Sequence, residues 1–291
     1  MSDETRPDAA VIIPHYNDTV RLERCLAALT AGDLRGVDIL VVDNGSNQSL
    51  SGLQKAFPMV RFLIEPEKGA AAARNRGVRE TTAPVLIFID ADCLPAPDWL
   101  DMARHVQPRG DLIGGRVDVF DETPPPRSGA EAFEAVFAFN FRNYIEVQGF
   151  TGAGNLVTRR DVFEDVGDFV NGVSEDRDWS MRAVAKGYQL IYEDGLVVSH
   201  PSRSDWAALR HKWHRMTREL CASNGAASQD RLRWGLRSLA MPISAIAHLP
   251  KVLFSTKLNG WGERYRGAAT LIRLRLLRMV WMLRQAMGLP I

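Results

Sequence analysis

The chain is 291 residues long, 46% hydrophobic, with a net charge of only +1, enough apolar content for one large domain or a domain with an appendage. Its three cysteines, Cys25, Cys93 and Cys221, are scattered, which excludes a disulfide framework or a cysteine zinc site and fits a reducing, cytoplasmic compartment. The stretch Met1 to Asp8 is polar and acidic, unlike a signal peptide, and no apolar run reaches the roughly 18 to 20 residues of a membrane span. The nearest candidate, Leu239 to Phe254, is interrupted by Pro242, His248, Pro250 and Lys251.

The small net charge hides an asymmetry. Residues 1–200 hold 20 Lys and Arg against 31 Asp and Glu, whereas residues 201–291 hold 16 against 4. An acidic body joined to a basic tail points to two jobs in one chain, the tail being suited to nucleic acid, anionic lipid or a phosphorylated substrate, among which the charge split does not choose.

In chain order, Ala9 to Ile13 reads as a short buried strand ending at Pro14. Asp18 or Thr19 can cap a helix with Leu22, Cys25, Leu26 and Leu29 on one face and Gly32 as its stop. Val37 to Val42 is a second buried strand closed by the turn Asp43-Asn44-Gly45-Ser46, and Arg61 to Ile64 is a third. The alanine-rich stretch Gly69 to Val78 predicts a helix, followed by the strand Val85 to Ile89. Strands alternating with helices predict an α/β fold with a parallel, Rossmann-like sheet flanked by helices.

The middle is less regular. Asp121 to Gly129 contains three consecutive prolines and must be a loop. Glu131 to Tyr144 has helical spacing with many phenylalanines, expected as core or as the lining of an acceptor groove. Asp178 to Lys186 reads as a helix ended by Gly187, with short strands at Gln189–Tyr192 and Leu196–Val198. Beyond Pro201 the pattern is helical, over Trp206 to Ala222, Arg231 to Leu239 and Ala268 to Met287.

Four polar clusters follow strands or open helices. Asp43 closes the second strand, where a dinucleotide-binding protein would grip a ribose, but the glycine-rich turn such a protein needs after strand one is replaced by Pro14-His15-Tyr16-Asn17-Asp18. Asp90 and Asp92 follow the fourth strand, and two hard oxygen ligands suit Mg²⁺ or Mn²⁺ shared with substrate phosphates. Glu175-Asp176-Arg177-Asp178 opens a helix, as ordinary capping or as a general base facing an acceptor hydroxyl. His200 ends a short strand, and its imidazole is a natural third metal ligand favouring Mn²⁺.

The order of these motifs resembles family 2 glycosyltransferases, inverting enzymes with the GT-A fold. It rests on Pro14, the Val42-Asp43-Asn44-Gly45-Ser46 turn, Gly69…Ala73-Arg74-Asn75-Arg76-Gly77, Asp90-Ala91-Asp92, Gly152-Ala153-Gly154-Asn155-Leu156, Glu175-Asp176-Arg177-Asp178 with Arg182 and Gly187, and His200. The resemblance implies a catalytic domain over 1–201, with a nucleotide-binding half near 9–95 and an acceptor half near 96–201, followed by a basic helical region over 202–291. It implies a nucleotide-sugar donor, UDP-linked, held by Pro14, Tyr16, Asp43, Arg74, Asn75, Asp90 and Ala91. Asp92 would bind the metal, with Asp90 beside it and His200 as a further ligand; Asp176 would be the base, positioned by Glu175. The acceptor would be a glycan or a lipid-linked molecule.

The resemblance has gaps. Gly167-Asp168-Phe169-Val170-Asn171 is one residue longer than the family's usual acceptor-side step, and no Gln-x-x-Arg-Trp motif follows His200, so a single-addition enzyme is expected over a processive synthase. A nucleotidyltransferase would need a glycine-rich loop after strand one, and an idle nucleotide-binding scaffold would not need all of Asp90, Asp92 and Asp176.

In the tail, Arg210-His211-Lys212-Trp213-His214-Arg215 crowds cations on one helix. The last helix mixes a wide apolar arc with Arg273, Arg275, Arg278 and Arg284, which predicts an interfacial helix on an anionic membrane, peripheral at the inner face, in preference to a packing helix. No nucleic acid partner is expected.

Overall fold

The structure is a computed structural model that describes residues 6–222, 225 and 227–291. The expected polar N-terminal stretch as far as Thr5 therefore lies outside the described residues. The chain divides into two compact units, Met1–Asp118 with Phe139–His200, and Val119–Ala138 with Pro201–Ile291. The second unit thus includes a segment from the middle of the chain as well as the basic helices.

In the first unit, β1 (Ala9–His15), β2 (Val37–Asp43), β3 (Val60–Ile64) and β4 (Val85–Ile89) are the strands the apolar runs predict. They alternate with α1 (Thr19–Leu29), α2 (Ser51–Ala56) and α3 (Ala70–Arg79). Side chains alternate faces along each strand. Val11 and Ile13 of β1 join one core with Ile87 and Ile89 of β4, while Ala10 and Ile12 join the other with Leu86 and Phe88. Burial on both faces is why these runs are continuously apolar.

The sheet then changes character. After β5 (Leu94–Pro95) and α4 (Trp99–Val106) come β6 (Leu112–Phe120), α5 (Gly129–Phe137), α6 (Phe141–Glu146), β7 (Asn155–Arg159), α7 (Arg160–Val166), α8 (Glu175–Ala185) and β8 (Leu190–Pro201). The eight strands lie in the order β3-β2-β1-β4-β7-β6-β8-β5. β1 to β4 pair parallel, whereas β7 runs antiparallel to both β4 and β6, so the sheet is mixed. The helix expected over Glu131 to Tyr144 is two helices. Phe139 sits at φ 47°, and Asn140 caps a fresh start by accepting from the Asn143 N–H. The two strands expected around Glu193 are one, β8, which lies between β6 and β5 in the sheet.

In the second unit, α5 packs with α9 (Trp206–Ala222), α10 (Ser228–Leu253) and α11 (Gly260–Ala286) around Phe133, Leu209, Val252, Leu258, Leu271 and Leu274. Glu134 of α5 is only 1% exposed; it accepts from Lys212 Nζ at 2.6 Å and from the Arg203 N–H at 2.7 Å. α10 runs well past Leu239, through Pro242 and Pro250. Each proline costs a helical hydrogen bond, offset by the face that Trp234, Ala245 and Val252 bury. α11 turns Leu271, Leu274, Trp281 and Met282 inward, and Arg278 with them, its guanidinium 4.5 Å from the Trp213 ring centroid. Burial, with Arg275 nearby, pushes that guanidinium down to about 10. No helix among the described residues is long and apolar enough to cross a membrane.

Candidate active site

Parallel pairing in register brings the carboxyl ends of β1, β2 and β4 together, with His15 opposite Asp43. That edge is where open α/β sheets take ligands. His15 Nδ1 lies 2.9 Å from Asp43 Oδ1, which also accepts from Ser46 Oγ at 2.5 Å, while Oδ2 accepts from the Ser46 N–H at 3.0 Å. Burial pushes the Asp43 carboxyl up, but the bonds from Ser46 and His15 outweigh it and hold the group below its ordinary range. Asn44 ties the turn to the start of α3: its amide donates to the Glu65 and Glu67 carbonyls and accepts from the Gly69 N–H at 2.7 Å. Tyr16 is exposed, with Lys68 Nζ 4.7 Å from its ring centroid, and Pro14 lies within β1 opposite Val42.

α3 contributes Arg74 and Asn75, and the two side chains do different things. Arg74, only 4% exposed, donates through Nη2 to Asp90 Oδ1 at 2.6 Å and through Nη1 to Glu175 Oε1 at 2.9 Å. Burial alone would lower its basicity, but Asp90, Glu175 and Asp176 together raise it above the usual value. Asn75 spends its amide on the Phe169 backbone, donating to the carbonyl at 2.9 Å and accepting from the N–H at 3.0 Å. It therefore holds the segment around Phe169 in place. Arg182 and Trp179 of α8 grip the same segment, bonding the Val166, Asp168 and Gly167 carbonyls, and Asp178 pairs with Arg182 at 2.9 Å.

Past β4, Ala91 packs into the core while Asp90 and Asp92 remain partly exposed. Asp92 Oδ2 lies 3.3 Å from His200 Nε2. Beneath them sit Cys25 and Cys93, whose buried thiols are pushed well above their ordinary range and stay protonated. The donor set is one carboxylate and one imidazole, with no preformed group of three ligating side chains among the described residues. Such a pair fits a Mn²⁺ or Mg²⁺ ion that completes its shell with phosphate and water.

Asp176 opens α8. Its Oδ1 accepts from the Arg177 N–H at 2.7 Å and from Ser174 Oγ at 3.2 Å. Burial and the neighbouring Glu175 carboxylate push it up; Arg74 only partly compensates, and the net shift is upward. Ser180 Oγ links this first turn to the Thr151 backbone, lying 2.7 Å from the Asp176 carbonyl and 3.1 Å from that of Thr151. The segment after Thr151 passes so close to the carboxylates that a Cβ at Gly154 would stand 2.6 Å from Asp90 Oδ2. A Cβ at Gly152 would stand 3.3 Å from Asp176 Oδ2. The glycines place bare backbone against both acids.

Thus Asp90, Glu175 and Asp176 converge on Arg74, Asp92 pairs with His200, His15 stands one strand over from β4 at the end of β1, and its partner Asp43 stands two strands over at the end of β2. One member of this arrangement was not singled out by the sequence. That is His15, although its place at the end of β1 is a usable signal. The phenylalanine-rich stretch of the sequence stands here as a chain of rings that also takes in His200 and Phe150: Phe139 lies 4.8 Å from His200 and 6.1 Å from Phe141, Phe141 lies 5.7 Å from Tyr144, and Tyr144 stacks on Phe150 at 5.2 Å. Arg177 stands 5.3 Å from the Phe150 ring centroid.

Residues 10–167 match the sequence family described as Glycosyl transferase family 2. Glycosyltransferase AglE of Haloferax volcanii is 33% identical over 210 residues, 68% of either chain. The pre-mycofactocin glycosyltransferase of Mycobacterium tuberculosis is 28% identical over 221 residues, 71% of this chain but less than half (46%) of that one. Among solved structures, the mannosyltransferase PcManGT from Pyrobaculum calidifontis, in complex with GDP-Man and Mn²⁺, superposes with a TM-score of 0.55 at 19% identity, covering 98% of this chain and 74% of that one.

Proposed function

The chain belongs to glycosyl transferase family 2, has the GT-A fold and is a glycosyltransferase; from this premise we propose a metal-dependent, inverting enzyme that moves a sugar from a nucleotide donor, UDP-linked, to a hydroxyl of a glycan or lipid-linked acceptor at the cytoplasmic face of a membrane. The observation that carries the reading is Arg74, whose guanidinium joins Asp90 on the donor side to Glu175 beside the candidate base.

In this reading Asp43, kept ionised by Ser46 and His15, accepts from the N–H of the donor's base. Asp92 and His200 would hold a divalent cation, which supplies positive charge against the leaving diphosphate. Asp176 accepts the acceptor hydroxyl's proton, and its raised pKa makes it a stronger base than an ordinary aspartate once ionised. Glu175, fixed by Arg74, keeps the first turn of α8 in place. The rings from Phe139 to Phe150 offer apolar faces on which a sugar can lie. Donor and acceptor meet directly, so inversion follows from a single in-line displacement with no covalent enzyme intermediate.

The test pairs two variants. Asp92→Ala should abolish the metal requirement for UDP binding and weaken that binding severely. Asp176→Asn should bind UDP normally by titration calorimetry while transfer falls about 10²- to 10⁴-fold. Metal-independent binding by the unmodified protein would reject the metal role, and near-normal turnover in Asp176→Asn would reject it as base.

A further inference from the structure

The sequence draws attention to the last helix as the membrane contact, but much of the α11 apolar arc is spent on packing. Within that arc Ile272, Leu276 and Val280 remain 39% to 47% exposed, and α10 leaves a more exposed row. Leu232, Leu236, Leu239, Ile243 and Ile246 recur at intervals of four and three, and each is between 56% and 69% exposed. At about 100° per residue they fall within an arc of about 80°. Phe254, just past the helix end and 78% exposed, extends the stripe to a length of about 33 Å at 1.5 Å per residue. Contiguous exposed apolar surface of this extent calls for a partner.

The charges select the partner. Arg231, Arg233, Arg237 and Lys251 flank the stripe, all exposed, and no Asp or Glu occurs from Arg231 to Phe254. Packing two such stripes together in a second copy would set cation against cation along both flanks. An anionic bilayer accepts the apolar side chains among its acyl chains and the cations among its headgroups. Too polar to span a membrane, α10 has the composition of a helix lying in the interface.

We propose that the exposed face of α10, from Leu232 to Phe254, is a docking surface for an anionic lipid bilayer. It rests on the membrane part of the function proposed above and assigns that contact to particular residues; the transfer chemistry is independent of it.

The test is sedimentation of the full chain with phosphatidylcholine vesicles, with and without phosphatidylglycerol. Leu236→Glu with Ile243→Glu should lower binding to anionic vesicles at least ~10-fold, since acids replace apolar groups at the centre of the buried face. Arg233→Gln with Arg237→Gln should remove the preference for phosphatidylglycerol. Ile272→Glu with Leu276→Glu, on α11, should leave most binding intact. Because the substituted side chains are exposed, circular dichroism should show an unchanged fold and Asp176-dependent transfer to a water-soluble acceptor should persist. Normal vesicle binding by the α10 variant would overturn the proposal. So would a dimer of the unmodified chain that Leu236→Glu with Ile243→Glu dissociates, because α10 would then be a contact between copies. Either result leaves the transferase reading standing, whereas vesicle binding without any transfer would do the reverse.

Discussion

In the first unit a guanidinium, Arg74, is held between Asp90 and Glu175; in the second a carboxylate, Glu134, is held between Lys212 and Arg203. The arrangement is the same with signs exchanged, but the surroundings differ. The Asp90 and Glu175 side chains are 36% and 26% exposed, while Glu134 is sealed at 1%. An open cluster with acids in excess can accept a substrate and its cation. A closed cluster cannot exchange partners, so what it contributes is the geometry of the helices around it.

The sharpest way to break this comparison is Glu134→Gln. It removes the carboxylate that Lys212 and Arg203 share, and should cost about 3–5 kcal/mol, read as a large fall in the denaturant midpoint. A loss below about 1 kcal/mol would mean that water reaches the cluster. Glu175→Gln removes one acid from the open cluster while Arg74 keeps its bond to Asp90 at 2.6 Å, and should cost no more than about 1 kcal/mol of stability while lowering transfer. Equal destabilisation by the two variants would end the distinction.

The smallest expected effect is in pH dependence. Asp176 has its carboxyl raised above the ordinary 3.8, so the proton remains bound in the folded protein at pH values where the unfolded chain has released it. Ionising it in place therefore costs stability: the cost is absent below the ordinary value, grows as pH rises through the interval up to the raised value, and is complete above. The acid limb of transfer should lie above the range of an ordinary aspartate, and Asp176→Asn should flatten stability across that interval. An acid limb at or below pH 3.8 would assign the base to another group.

The sequence disclosed the parts of the fold whose pattern is local. Val85–Ile89 is apolar on both faces and stands as a strand with the boundaries its composition suggests, and Trp206 to Ala222 is the helix its spacing predicts. β6 was missed because Gly114 and Gly115 interrupt its pattern. A Cβ at Gly115 would stand 2.2 Å from both the Asn155 amide and the Leu196 carbonyl oxygen, so the residue that hides the strand is the one its neighbours require. β7 was hidden by its polar first residue: Asn155 is fully buried, accepting from Trp99 Nε1 at 2.9 Å. α10 seemed to stop short of Pro242 because propensity was read without the face that Trp234 and Val252 bury. The site followed the same rule. Asp90, Asp92 and Asp176 could be found from strand ends and a helix start, but Arg74 and Glu175 are 101 residues apart, and no spacing along the chain records that they touch.

The pairing of Asn75 with Phe169 also sets a timescale. Both amide atoms of one side chain take the place of a neighbouring strand, so the Asp168–Asn171 segment must give up two hydrogen bonds together before it can open. Opening would also strand a buried amide away from solvent. Though it belongs to no sheet, this segment should exchange its Phe169 amide hydrogen as slowly as a strand does.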